Sequence, residues 1–120
     1  MRIAILAFAL IVAAAAARAG EADVVAVEAT REAPGTWRFD VTVAHADEGW
    51  GHYADRIEVV APDGTVLATR NLVHPHVEEQ PFTRSVLGVV IPEDVGSVTV
   101  RANDSVHGYG GAEIVVELPR

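Results

Sequence analysis

The five histidines of this chain fall in three short stretches: His45 and His52, then His74 and His76, then His107. Neutral imidazole is a ligand for divalent transition metals, and several imidazoles gathered with carboxylates can hold an ion without a thiolate. The sharpest local feature is His74-Pro75-His76. Residues i and i+2 of an extended segment point the same way, and proline biases the residue before it toward extended backbone. Two imidazoles on one side of a stiff backbone then form half of a site. His52 and His107, from the neighbouring stretches, complete a four-histidine set suited to Zn²⁺ or Cu(II). Cu(I) and blue-copper chemistry are disfavoured, because the chain has no cysteine and its only methionine is Met1.

Around this set stand residues able to orient rings or line a pocket. Trp50-Gly51-His52-Tyr53-Ala54-Asp55 joins two aromatics to a histidine and an acid. Here Asp55 can orient His52, and Trp50 can lid the open end of the fold. Glu79, with Asp47 and Glu78, offers oxygen ligands or acceptors for ring N–H groups. Arg84 lies in an otherwise apolar strand and calls for a partner such as Asp55 or Asp104. Tyr109 follows His107 in the glycine-rich segment Val106-His107-Gly108-Tyr109-Gly110-Gly111. His45 differs from the other histidines. It continues the alternation of Trp37, Phe39, Val41 and Val43, which places it at the core edge, bonded to a backbone carbonyl or serving as an inner ligand.

The elements that must position these residues read as seven short strands, near 24–29, 37–43, 57–60, 66–73, 82–90, 98–102 and 114–118. Period-2 alternation marks the strands, and Pro34-Gly35, Pro62-Asp63-Gly64 and Pro92 mark turns between them. The expected fold is all-β: a two-sheet, immunoglobulin-like sandwich of about seven antiparallel strands, with a small β-barrel as the alternative. Alternating strand directions send the loops at 44–53, 74–81 and 107–111 to one end of the domain. Every histidine lies in one of those loops or beside it.

Residues 1–19 read as a signal peptide. Arg2 precedes an apolar run over 3–12, and Ala17-Arg18-Ala19 has the small-x-small form of a cleavage site. Residues 20–120 then form a single β-sandwich domain, with no membrane anchor expected after cleavage. No cysteine lies near the cut, so lipid modification there is not expected. Without Arg2 and Arg18, seven arginines face 17 acids, a net charge of −10 with histidine neutral. That charge argues against nucleic acid and anionic lipid as partners.

The segments Trp50-x-His52-Tyr53-Ala54-Asp55, His74-Pro75-His76, Glu79-Gln80-Pro81-Phe82-Thr83-Arg84-Ser85 and Val106-His107-Gly108 resemble small secreted β-sandwich proteins of Gram-negative bacteria. The resemblance implies a periplasmic sandwich and carries no function with it. In size and location the chain is also broadly similar to periplasmic copper-resistance sandwich proteins, but it lacks their histidine at the mature N-terminus. Three functions follow as expectations. The first is a periplasmic or secreted binding protein for Zn²⁺ or Cu(II), and the second is a non-catalytic module gripping a protein or polysaccharide through the same loops. The third is a metal-dependent enzyme, which has less support: Ser85 and Ser105 sit in no Gly-x-Ser-x-Gly elbow.

Overall fold

Alternation along Trp37, Phe39, Val41 and Val43 sends four apolar side chains to one face of a strand, and all four are fully buried. Arg38, Asp40 and Thr42 face the other way. The computed structural model describes residues 9–13 and 21–119. Its strands are β1 (Ala9–Ala13), β2 (Asp23–Ala33), β3 (Thr36–Ala44), β4 (Ala54–Val60), β5 (Val66–Asn71), β6 (Phe82–Val90), β7 (Ser97–Asp104) and β8 (Ile114–Glu117). They form two separate four-stranded sheets, β1-β2-β3-β6 and β5-β4-β7-β8, with every pair antiparallel. The chain is therefore a sandwich rather than a barrel. β5 pairs with β4, whereas the constant-type immunoglobulin order puts the fourth strand in the sheet of the first.

Of the expected signal peptide, the structure describes only β1, an edge strand paired with β2 from Ala9↔Thr30 to Ala13↔Ala26. The remainder of that segment and its cleavage site lie outside the described residues. β2 through β8 are the seven strands expected from sequence.

Trp37, Phe39, Ile57, Val59, Val86, Val89, Val98 and Val100 fill the space between the sheets. In β6 the inward phase slips from Val86 to Val89, and the β3 register shifts between Trp37 and Phe39. Gly88 absorbs that bulge at φ 63°, a left-handed conformation that glycine adopts without steric cost. Leu87 is turned out to solvent as a result. The β3–β4, β5–β6 and β7–β8 connections share one end of the sandwich, and the short reversals at Gly35, Gly64 and 91–96 share the other.

Because Phe39 is fully enclosed, Phe39→Ala is expected to lower stability by about 3–5 kcal/mol. Arg38→Ala, on the exposed face of the same strand, should cost less than about 1 kcal/mol. Urea unfolding of the two variants checks the contrast.

Candidate metal centre

Asp104 ends β7 in the same inward phase as Val98, Val100 and Ala102, so its carboxylate points into the end of the core and is buried. A charge in that position costs several kcal/mol unless it is paired and hydrogen-bonded. Its two oxygens divide the task. Oδ1 accepts the backbone N–H groups of Val106 (2.6 Å) and His107 (2.9 Å), which closes the turn between Asp104 and Gly108. Oδ2 faces three imidazole nitrogens: His45 Nε2 at 2.5 Å, His52 Nε2 at 2.8 Å and His107 Nδ1 at 3.3 Å. Burial pulls the Asp104 pKa upward. The N–H groups of His107 and Val106 and the rings of His45 and His52 together outweigh it, holding the carboxyl well below the usual carboxylate range.

The far nitrogens of two of these rings are also engaged. His45 Nδ1 meets Asp47 Oδ1 in a very short contact between fully buried side chains, and His52 Nδ1 meets Glu48 Oε1 at 2.8 Å. Each imidazole is thus clamped between two carboxylates. A neutral ring carries one N–H and can satisfy only one of them. Two additional protons would balance the pair of clamps. One divalent cation seated among His45 Nε2, His52 Nε2 and Asp104 Oδ2 would balance them equally well, leaving each Nδ1–H to donate to Asp47 or Glu48. That is the carboxylate–histidine–metal arrangement.

These three ligand atoms lie within 4.8 Å of one another and could hold a metal ion. Ligands at about 2 Å around a tetrahedral ion stand roughly 3.3 Å apart. The His107 distance already matches that spacing, and the other two would open by under about 1 Å.

The expected four-histidine set is divided by the structure. His52 and His107 come together, their ring centroids 5.0 Å apart, and His45 joins them. His74 and His76 pair separately at 4.7 Å, and His76 is buried and stacked on Phe82 at 4.1 Å. His45 does pack beneath the loops, but its ring partners are carboxylates rather than a carbonyl. Asp55 accepts from Asn103 at 2.7 Å, and Glu48 holds His52 in its place. Arg84 pairs with Glu79 at 3.5 Å rather than with Asp55 or Asp104. Trp50 is no lid: it is 68% exposed, edge-on to Tyr53 at 5.7 Å. Tyr109 turns to the outer face, accepting from Arg56 Nε at 2.7 Å beneath the Arg101 guanidinium.

Sequence reasoning missed Asp104 as the focus, although the in-phase run Val98, Val100, Ala102, Asp104 ahead of His107 carries the signal. Asp47, offered by the sequence as an acceptor for ring N–H groups, meets the His45 ring, and it is also buried, accepting from Ala54 N (3.1 Å) and from His76 N (2.6 Å).

The chain is 40% identical over 97 residues to a protein of Halomicrobium mukohataei named "Putative lipoprotein". The match covers 81% of this chain and 47% of the relative, so the chain spans about half the length of the curated relative it matches. No protein-family model and no solved structure matches the chain.

A carboxyl whose folded pKa is depressed contributes stability that is complete above its unfolded value, about 3.9, and is lost as pH falls through the folded value. Metal-free Asp104→Asn should therefore be less stable than the wild type at pH 7 and lose less stability below about pH 4. Thermal melts in chelator from pH 7 to pH 2 read the difference; parallel acid limbs would refute it.

Proposed function

We propose that this chain is an extracytoplasmic binding protein for one divalent transition-metal ion, Zn²⁺ or Cu(II), centred on Asp104. The observation that carries the reading is the pair of imidazoles, each clamped between carboxylates, converging on one buried oxygen. His45 Nε2, His52 Nε2 and Asp104 Oδ2 supply the fixed ligands. His107, 43% exposed at its side chain, supplies the fourth and is the one free to swing as the ion enters. Asp47 and Glu48 hold the two inner rings in the tautomer that ligates. Histidine with carboxylate and no sulfur suits Zn²⁺ and Cu(II).

Binding is favoured over catalysis by the surroundings. Among the described residues, a groove at this end is lined by Gly49, Trp50 and residues 74–79, none of which supplies a side chain to the Asp104 cluster. The relative's name, that of a lipoprotein, supports a location outside the cytoplasm, associated with the cell envelope or secreted. A second reading has Trp50 behind it: a large exposed aromatic beside a groove is a feature of interaction modules. On that reading Trp50→Ala weakens capture of a protein or polysaccharide partner and leaves metal content unchanged.

A metal that joins residues from both sheets binds the folded state alone, so it raises stability. At a free concentration one hundred times Kd the gain is about 2.7 kcal/mol, on the order of 10 °C in Tm for a domain this size. Zn²⁺ or Cu²⁺ should produce that shift in the wild type and in His74→Ala, and not in His52→Gln or Asp104→Asn. A wild type whose Tm ignores both ions, and which purifies without metal in the absence of chelator, would overturn the proposal.

A further inference from the structure

His74 and His76 lie outside the Asp104 cluster, yet their local chemistry follows the same logic. His74 Nδ1 lies 3.2 Å from the carbonyl oxygen of Pro75, and His76 Nδ1 lies 3.1 Å from Glu79 Oε1. A carbonyl and a carboxylate only accept, so each ring in its neutral form carries its proton on Nδ1 and leaves the Nε2 lone pair bare. Among the described residues neither Nε2 has a hydrogen-bond partner. The two ring centroids stand 4.7 Å apart, and both residues line an open groove of ≈ 670 Å³ with Trp50, Pro75, Val77 and Glu78.

The pair is also held in place. His76 is stacked on Phe82 within 19° of parallel, its backbone N–H is fixed by Asp47 Oδ2, and its carbonyl accepts from Gln80 Nε2 at 2.8 Å. Arg84 steadies Glu79, the residue that sets the His76 tautomer. One imidazole is thus rigid, and its neighbour is exposed and free to adjust.

We propose that His74 Nε2 and His76 Nε2 form a second, exchangeable site for a divalent transition metal at this groove, separate from the Asp104 centre. One held nitrogen and one adjustable nitrogen, with water completing the coordination, make it weaker than a site with three or four protein ligands. The inference does not depend on the Asp104 reading, since the two sites have no ligand in common.

The test is calorimetric titration of the tag-free, chelator-stripped chain with Zn²⁺, using circular dichroism to confirm that each variant is folded. The wild type should take up two equivalents, the second at least tenfold weaker than the first. His74→Ala, an exposed substitution, should abolish the weaker equivalent and keep the tighter one. Glu79→Gln should weaken it several-fold by releasing the His76 tautomer. His52→Gln should do the reverse of His74→Ala, losing the tighter equivalent alone.

One equivalent that disappears in His52→Gln and survives His74→Ala overturns the second site and leaves the Asp104 centre standing. One equivalent with the opposite pattern upholds the groove site and removes the other. Two equivalents that both survive His74→Ala, or no uptake at all, also overturn the groove site.

Discussion

A carboxylate buried where two sheets meet governs this end of the molecule. Asp104 cannot stay charged in the core without donors on every lone pair, and the chain can supply them only by folding its loops inward. Two donors come from its own turn and fix the β7–β8 connection. The others come from the β3–β4 connection, through His45 at the end of one sheet and His52 ahead of the other. One oxygen atom therefore ties the sheets together at a point where the apolar core has run out. Asp47 extends the arrangement, meeting the His45 ring and the backbone of Ala54 and His76, so the β5–β6 loop is joined to the same polar cluster.

The strands, their order along the chain and the shared end of the histidine loops were legible because they rest on short-range rules. Period-2 alternation states which side chains face inward, and antiparallel succession states which loops are neighbours. The i, i+2 argument for His74 and His76 is also local, and the rings do stand side by side. The path of that loop was not legible. It depends on Phe82 stacking under His76 and Asp47 capturing its N–H, contacts that span 6 and 29 residues of chain. The burial of Asp47 was not legible either, because an acidic pair in a loop is usually solvated. What buries it is the arrival of three partners, two of them from other segments.

His45 and Asp104 show what alternation can add when it is followed past the last apolar residue. Both continue the inward phase of their strands by one step, and the two strands lie in different sheets. A titratable residue in that position is placed by the sheet, not by a flexible loop, which makes its geometry more reproducible than that of His74 or His107. Extending the same phase one step beyond each strand's apolar run selects the cluster's two buried members from sequence alone.

The arrangement also bears on how such a cluster can be balanced. A proton-satisfied version needs two imidazoliums against three carboxylates, and breaking a contact to Asp47 or Asp104 strands a buried charge. A divalent ion would replace two protons with one centre and convert mutual hydrogen bonds into shared ligation. On the proposed reading the polar end would have two balanced states, differing in occupancy rather than fold. Because these residues come from both sheets, an ion held among them would link its occupancy to the closure of the sandwich in free energy. Asp47, with one oxygen toward His45 and the other on the backbone of His76, lies on the covalent and hydrogen-bonded route from that closure to the wall of the groove.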